Sequence, residues 1–275
     1  SDRTIKNAFR LHDKNIVEGF LIPTETRMTA CISSQVGCSL TCKFCGTGRM
    51  ERLRNIDAAE IYDQVVLLRK QAEEKYNIPL SNIVYMGMGE PLLNYSEVIK
   101  SIEHITSPEG LGMSPQRITV STAGIAKMIH KLGDDKVKFN LALSLHAAND
   151  QKRDHIMPIN EQNSLDALAD AMNHFYDKTG TRITFEYIIF KDFNDTLQDA
   201  KELADFCYRV PSKVNIIEYN PIDGGEFSQT TDERLRNYVR YLEGRGIIAN
   251  VRRSRGKDID AACGQLANKN KAAAK

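Results

Sequence analysis

Between residues 30 and 218, short apolar runs of strand character alternate six times with amphipathic stretches of helical period, and this alternation most restricts how the chain can fold. The runs at 30–33, 83–86, 117–121, 137–143, 183–190 and 213–218 predict strands, and helices are expected to start near 57, 96, 125, 164, 198 and 230. Asp57 with Glu60 three positions on is a capping-box start, after which Ile61, Val65 and Leu68 share one helical face. The last helix repeats the device at Thr230 and Glu233, with Leu235, Val239 and Leu242 as its apolar stripe. Parallel strands need a crossover, and an amphipathic helix supplies it, so the expected class is α/β. Six consecutive βα units imply a partial (β/α)6 TIM-like barrel, in which ligands meet the carboxyl ends of the strands. Further strands are expected at 16–22 and 247–251. The expected organisation is an N-terminal extension over 1–29, the barrel over 30–245, and a C-terminal extension over 246–275 that ends in a polar, alanine-rich tail.

Directly after the first barrel strand come Cys38, Cys42 and Cys45, a C-x3-C-x2-C run with Phe44 before the last cysteine. Soft thiolates suit an iron–sulfur cluster or zinc, and closed structural sites normally have four protein ligands. Three thiolates in one short loop would hold three irons of a four-iron cluster and leave the fourth iron open to a small molecule. The alternative is a zinc knuckle with a distant fourth ligand. Of the other cysteines, Cys207 lies within an expected helix and reads as a small buried hydrophobe. Cys31 precedes the cysteine run and is not spaced to join it, and Cys263 sits among small residues before Gly264, as an accessible loop thiol would.

Past the second barrel strand lies Gly87-Met88-Gly89-Glu90-Pro91. Glycines let a backbone approach a ligand closely, and a carboxylate can accept hydrogen bonds from an ammonium group; an ordinary βα turn would look the same. Ser121, Ser144, His146 and Asn220 each fall at or just past a strand end, where side chains can point into a barrel mouth. The net charge of +1 favours neither presence nor absence of a polyanionic partner, and the 41% hydrophobic content suffices for a sizeable core. No apolar run approaches the ~20 residues that span a bilayer. Clustered thiols imply a reducing compartment, and the expected location is the cytoplasm.

The cysteine spacing and the βα repeat together resemble the radical S-adenosylmethionine (SAM) enzymes. Four longer segments make the resemblance closer: Ala30-Cys31-Ile32-Ser33-Ser34-Gln35-Val36-Gly37-Cys38, Met86-Gly87-Met88-Gly89-Glu90-Pro91-Leu92-Leu93-Asn94, Ser144-Leu145-His146-Ala147, and Arg255 to Leu266 with Cys263 inside it. From about Asn15 to Ala267 they are similar, in the same order, to the RlmN/Cfr family of RNA adenine methyltransferases, with the RlmN branch the nearer. Two features depart from the pattern. The family's helical N-terminal domain does not precede the strand at Ile16, and Glu51-Arg52 stand where a Gly-Phe pair is usual.

What the resemblance implies is a radical SAM core with a [4Fe–4S] cluster on Cys38, Cys42 and Cys45, and SAM held by Gly89, Glu90, Ser121, Ser144, Leu145, His146 and Asn220. It also implies that Cys263 first takes a methyl group, which then becomes the carbon that joins C2 of an adenine. Glu18 accepts a proton from the adduct, and Cys31 attacks Cys263 sulfur to release the RNA and leave a disulfide. The expected substrate is large-subunit ribosomal RNA, with tRNA as a second candidate, and the expected partners are this RNA and an electron donor such as flavodoxin with its reductase. The expected state is a monomer. Arg49, Arg52 and Arg54, and Arg252, Arg253 and Arg255, are candidates for phosphate contacts, although a charge run is as often a solvated face. Competing expectations are methylation at C8, as in the Cfr branch, and a metal-stabilised RNA-binding protein without catalysis.

Overall fold

The computed structural model describes residues 2–260, 262 and 264–267. It divides into two units, one drawn from Ser1–Thr41, Cys45–Ser121 and Arg255–Lys275, the other from Cys42–Phe44 and Thr122–Ser254.

The first unit begins with a hairpin that the sequence reading did not foresee. β1 (Ile5–Arg10) runs antiparallel to β2 (Ile16–Pro23), with Ile5 opposite Leu21 and Arg10 opposite Ile16. The connecting turn closes with Leu11 N donating to Asn15 O at 2.8 Å, and Lys14 takes a left-handed φ of 69°. β1 has weak alternation because its half-buried Lys6 faces a buried carboxylate on β2 rather than solvent. β2 pairs antiparallel with β3 (Met28–Cys31), placing Phe20 opposite Cys31. A small antiparallel ladder, β4 (Gln35–Val36) with β5 (Arg54–Asn55), ties together the two ends of the cysteine-bearing loop.

After that loop the pairing turns parallel. α1 (Ala58–Tyr76) starts at the expected capping box, with the Asp57 side chain accepting from Glu60 N, and buries Ile61, Val65 and Leu68. β6 (Asn82–Tyr85), α2 (Tyr95–Thr106) and β7 (Ile118–Thr122) follow, with β3–β6 and β6–β7 both parallel.

In the second unit the order is α3 (Ala126–Asp134), β8 (Asn140–Ser144), α4 (Asp150–Ile156), α5 (Leu165–Thr179), β9 (Ile183–Ile189), α6 (Leu197–Arg209), β10 (Ser212–Glu218), α7 (Asp232–Gly244) and β11 (Ala249–Arg252). β8–β9, β9–β10 and β10–β11 are parallel. Every residue of β9 is buried, as expected of a central parallel strand. α5 is bounded by a Ser164 cap and by Gly180 at φ 69°. The strand expected from residue 137 begins only at Asn140, because Asp135 and Lys136 turn the chain out of α3, Lys136 with φ 48°. α4 is an addition to the expected elements; Asn149 caps it by accepting from Lys152 N at 3.1 Å.

Candidate active site

The cysteine loop is built from both ends. Gly37 enters it at φ 79°, where a Cβ would lie 2.0 Å from Glu51 O, so only glycine lets the loop base close. Amide hydrogens of Ser39 and Leu40 point at Cys38 sulfur, and those of Thr47 and Gly48 at Cys45. Burial pushes the Cys38 thiol up to about 11, with Cys45 and Glu90 adding to the rise, and burial likewise raises Cys45. Buried sulfurs ringed by N–H donors, yet unfavourable as bare thiolates, are suited to a soft cation that supplies the missing positive charge. In the middle of the loop, Lys43 N donates to Ile156 O at 3.0 Å, and the Phe44 ring meets His146 edge-on at 4.7 Å.

The turn after β6 is pinned to the residues just before the cysteines. Ser34 N and Gln35 N donate to Met88 O at 2.9 and 3.2 Å, and Glu90 N donates to Gln35 Oε1 at 2.8 Å. Gly89 takes φ 94°, and a Cβ there would come within 2.4 Å of Gln35 Cβ. Glu90 is buried, and its Oε1 accepts from Leu92 N at 3.0 Å. Gln35 and Asn94, whose Nδ2 donates to Ser34 O and Ile56 O, are supporting residues to which the sequence reading gave no role. Ser121 is buried near the end of β7.

In the first unit the structure also brings distant parts of the chain to Glu18. Phe20 and Glu18 lie two apart on β2, and Phe20 is opposite Cys31, so Glu18 and Cys31 share one face of the pair. Both are buried. Lys6 Nζ lies 2.9 Å from Glu18 Oε1 and donates to Asp260 O at 3.2 Å, while Ala267 N donates to Glu18 Oε2 at 3.2 Å. On the other side, Gly46 N donates to Gly264 O at 2.7 Å and Thr47 Oγ1 to Leu266 O at 2.8 Å. A Cβ on Gly46 would be 3.1 Å from Leu266 O, a crowding that glycine avoids. Residues 264–267, just after position 263, are thus held by the cysteine loop and by Glu18, and Asp260 before it by Lys6. Cys263 itself lies outside the described residues. No disulfide joins two described residues, and Cys207 is buried in α6.

The second unit organises the other expected residues around Arg153, which the sequence reading missed. Its guanidinium, with no exposed surface, donates from Nε to Leu145 O at 3.1 Å, from Nη1 to Asn160 Oδ1 at 2.7 Å, and from Nη2 to Ala123 O and Ser144 O at 2.5 and 3.1 Å. One side chain therefore fixes the backbone just past β7 and β8. His146 follows at φ 55°, buried; its Nδ1 accepts from Ile188 N at 3.0 Å, which assigns the ring proton to Nε2. Burial, reinforced by Arg153, pushes His146 down to about 3, so the ring is neutral at physiological pH. Asn220 is buried after β10 and donates from Nδ2 to Ser254 Oγ at 2.8 Å.

In the basic clusters three arginines have partners within the protein. Arg54 is committed to Asp13 and Glu60 at 2.6 to 2.9 Å, Arg252 lies 3.4 Å from Glu186, and Arg255 donates to Pro23 O at 3.1 Å. Of the six arginines only Arg54 is half-buried, while Arg49, Arg52, Arg252, Arg253 and Arg255 are exposed.

The model of the Radical SAM superfamily matches residues 32–207, which defines the class. "Probable dual-specificity RNA methyltransferase RlmN" from Cytophaga hutchinsonii is 63% identical over 269 residues, covering 98% of this chain and 74% of that protein. "Dual-specificity RNA methyltransferase RlmN" from Nautilia profundicola is 40% identical, covering 98% of this chain and 79% of that protein. A crystal structure of a radical SAM methyltransferase from Sphaerobacter thermophilus superposes with a TM-score of 0.93 at 40% identity, covering 96% of this chain and 77% of that one. The chain belongs to the RlmN family of radical SAM enzymes, and its α/β fold is that family's partial barrel. Enzymes of this superfamily use a [4Fe–4S] cluster and SAM. The three-thiol donor set and its ring of N–H groups fit the cluster, and the close backbone turn at Gly89 and Glu90 fits a small polar ligand.

Proposed function

We propose that this chain methylates C2 of an adenosine in large-subunit ribosomal RNA, with tRNA as a second substrate, by way of a methylated Cys263. The docking of residues 264–267 against Gly46, Thr47 and Glu18 carries this reading, because it ties the segment bearing Cys263 to the cysteine loop and to a buried carboxylate at once. The printed names of the relatives, RNA methyltransferases of dual specificity, support the substrate class.

C2 of adenine is electron-poor and lacks an acidic proton, so direct displacement by the base on a methyl donor does not reach it. When bound, the cluster and SAM supply the methyl group and a carbon-centred radical. The chain's own residues supply the rest. Cys38, Cys42 and Cys45 are the ligand set, and Gly89, Glu90, Ser121, Ser144, Leu145, His146 and Asn220 hold SAM. Cys263 sulfur carries the carbon to the base. Glu18, whose second oxygen is already steered by Lys6, takes the proton from the adduct. Cys31 thiolate then attacks Cys263 sulfur, breaking its bond to carbon, whose electron pair takes up a proton to complete the new methyl group, and leaving a disulfide that an external reductant reopens. The target base must leave its stack to meet a buried site, which favours loop or single-stranded adenosine. The remaining partners in this reading are a flavodoxin-type electron donor and no membrane; the enzyme acts as a cytoplasmic monomer.

The test is nucleoside analysis. Cluster-loaded protein, a chemical reductant, SAM with a deuterated methyl group and ribosomal RNA should yield labelled 2-methyladenosine after digestion. Labelled 8-methyladenosine, or no labelled nucleoside alongside SAM cleavage, would overturn the proposal.

A further inference from the structure

We infer that His130, Asp134 and His174 form a surface site for a divalent metal of the zinc type, clamping α3 to α5. This site is separate from the cysteine loop and built from different donors. His130 and Asp134 are four residues apart on α3, so both side chains rise from one helical face. His174 comes from α5. One ligand atom from each of the three lies within 4.8 Å of the others. His174 Nε2 is 2.7 Å from Asp134 Oδ1, and His130 Nδ1 is 3.7 Å from Asp134 Oδ2. With metal–ligand bonds of about 2.0–2.2 Å, tetrahedral ligands stand roughly 3.3 Å apart, so the close His174–Asp134 pair opens slightly and the longer separations close to admit the ion.

Three further observations distinguish the triad from a chance surface pair. The two imidazole rings are in contact, with centroids 3.5 Å apart, so the donors from α3 and α5 already stand side by side. Gly133 makes the approach of α5 possible: a Cβ there would lie 2.9 Å from His174 Cδ2 and 3.1 Å from Phe175 Cα. Asp134 ends α3, where a carboxylate opposes the helix dipole and a bound cation would reverse the sign. The adjacent Lys131 is engaged with Asp135 at 2.9 and 3.1 Å. A second group of similar composition, His12, Asp57 and Glu60, differs in this respect, since Arg54 already occupies both Glu60 oxygens. Two imidazoles and one carboxylate are borderline-to-hard donors, suited to zinc, with water as the fourth ligand.

The test uses cluster-loaded protein, kept anaerobic so that the thiols of the cysteine loop are occupied. Zinc ion is titrated calorimetrically into the native protein, His174→Ala, Asp134→Asn and, as a control, His104→Ala. One equivalent of zinc should bind the native protein and His104→Ala alike, at least ~10-fold more tightly than either triad variant. Zinc should also raise the melting temperature of the native protein and leave that of His174→Ala unchanged. In crystals soaked with zinc, the anomalous peak should fall between α3 and α5. Titrations in which His174→Ala and Asp134→Asn match the native protein, an absence of zinc uptake, or a peak confined to other residues would overturn the site.

Discussion

Replacement of Cys31 by alanine is expected to convert a turning-over enzyme into one that stops as a covalent protein–RNA adduct. Cys31 is buried and shares a β2–β3 face with Glu18, and Glu18 in turn holds the amide of Ala267, four residues beyond Cys263. Among the described residues no other thiol has this placement: Cys207 is buried in α6, and Cys38, Cys42 and Cys45 are the proposed ligands. Without Cys31, the bond between Cys263 sulfur and the transferred carbon has no internal nucleophile to break it. Denaturing gels of Cys31→Ala with radiolabelled RNA, reductant and SAM should show a shifted band whose RNA-bearing peptide contains residue 263. Product should stay at or below one per enzyme, whereas the native protein makes many. Native-like turnover by Cys31→Ala would contradict the release step, and a crosslink at another residue would contradict the carrier.

The second large effect is on stability. Arg153→Met removes a guanidinium that satisfies four buried acceptors, the carbonyls of Ala123, Ser144 and Leu145 and the side chain of Asn160. Burying a charge is itself costly, and some buried ionic groups can be replaced by apolar ones with a gain. Here that gain is outweighed, because the acceptors belong to backbone that cannot be removed along with the arginine. Leu145 O keeps the amide of Ala147 at 2.7 Å, whereas a buried acceptor that loses its donor costs about 1–3 kcal/mol, and such costs are not additive. A loss of at least ~3 kcal/mol is therefore expected, visible as a lower urea midpoint. Because Ser144 and Leu145 directly precede His146, SAM affinity should fall as well, even under conditions where the variant remains folded. Arg153 is a positioning residue, and Arg153→Lys should restore only part of the loss, since an ammonium cannot reach four acceptors in the guanidinium's planar geometry. A midpoint shift no larger than a surface substitution gives, ~0.5 kcal/mol, would show that water replaces those bonds.

The elements legible in the sequence are those with strong local signals. The Asp57–Glu60 capping box and the stripe of Ile61, Val65 and Leu68 define α1 without tertiary help. The run of apolar residues from Ile183 onward reads as a covered strand, and β9 is one. The cysteine spacing narrows the chemistry to an iron–sulfur cluster or zinc, and the family resemblance selects the cluster. What escaped was long-range. Arg153 stands in a short helix of charged residues that reads as solvated, and only the fold shows that it has no exposed surface. Lys6 lies in a strand with little alternation, and its partners Glu18 and Asp260 O are 12 and 254 positions away. The pairing of Arg54 with Asp13 was hidden for the same reason, because nothing local indicates that Asp13 turns back to meet it. Thr47 and Gly46 sit beside a motif that drew attention only to its cysteines, yet they hold the C-terminal segment in place.

The account rests on one sulfur near the C-terminus acting as a carbon carrier. Protein isolated without oxygen, digested and analysed by mass spectrometry reports on this directly. The account predicts that the peptide containing Cys263 carries one added methyl group, that the group is absent when Cys263→Ala is analysed, and that a labelled methyl replaces it when the native protein turns over with reductant, SAM with a deuterated methyl group and RNA. A peptide unmodified at Cys263 in protein that nevertheless methylates RNA would contradict it.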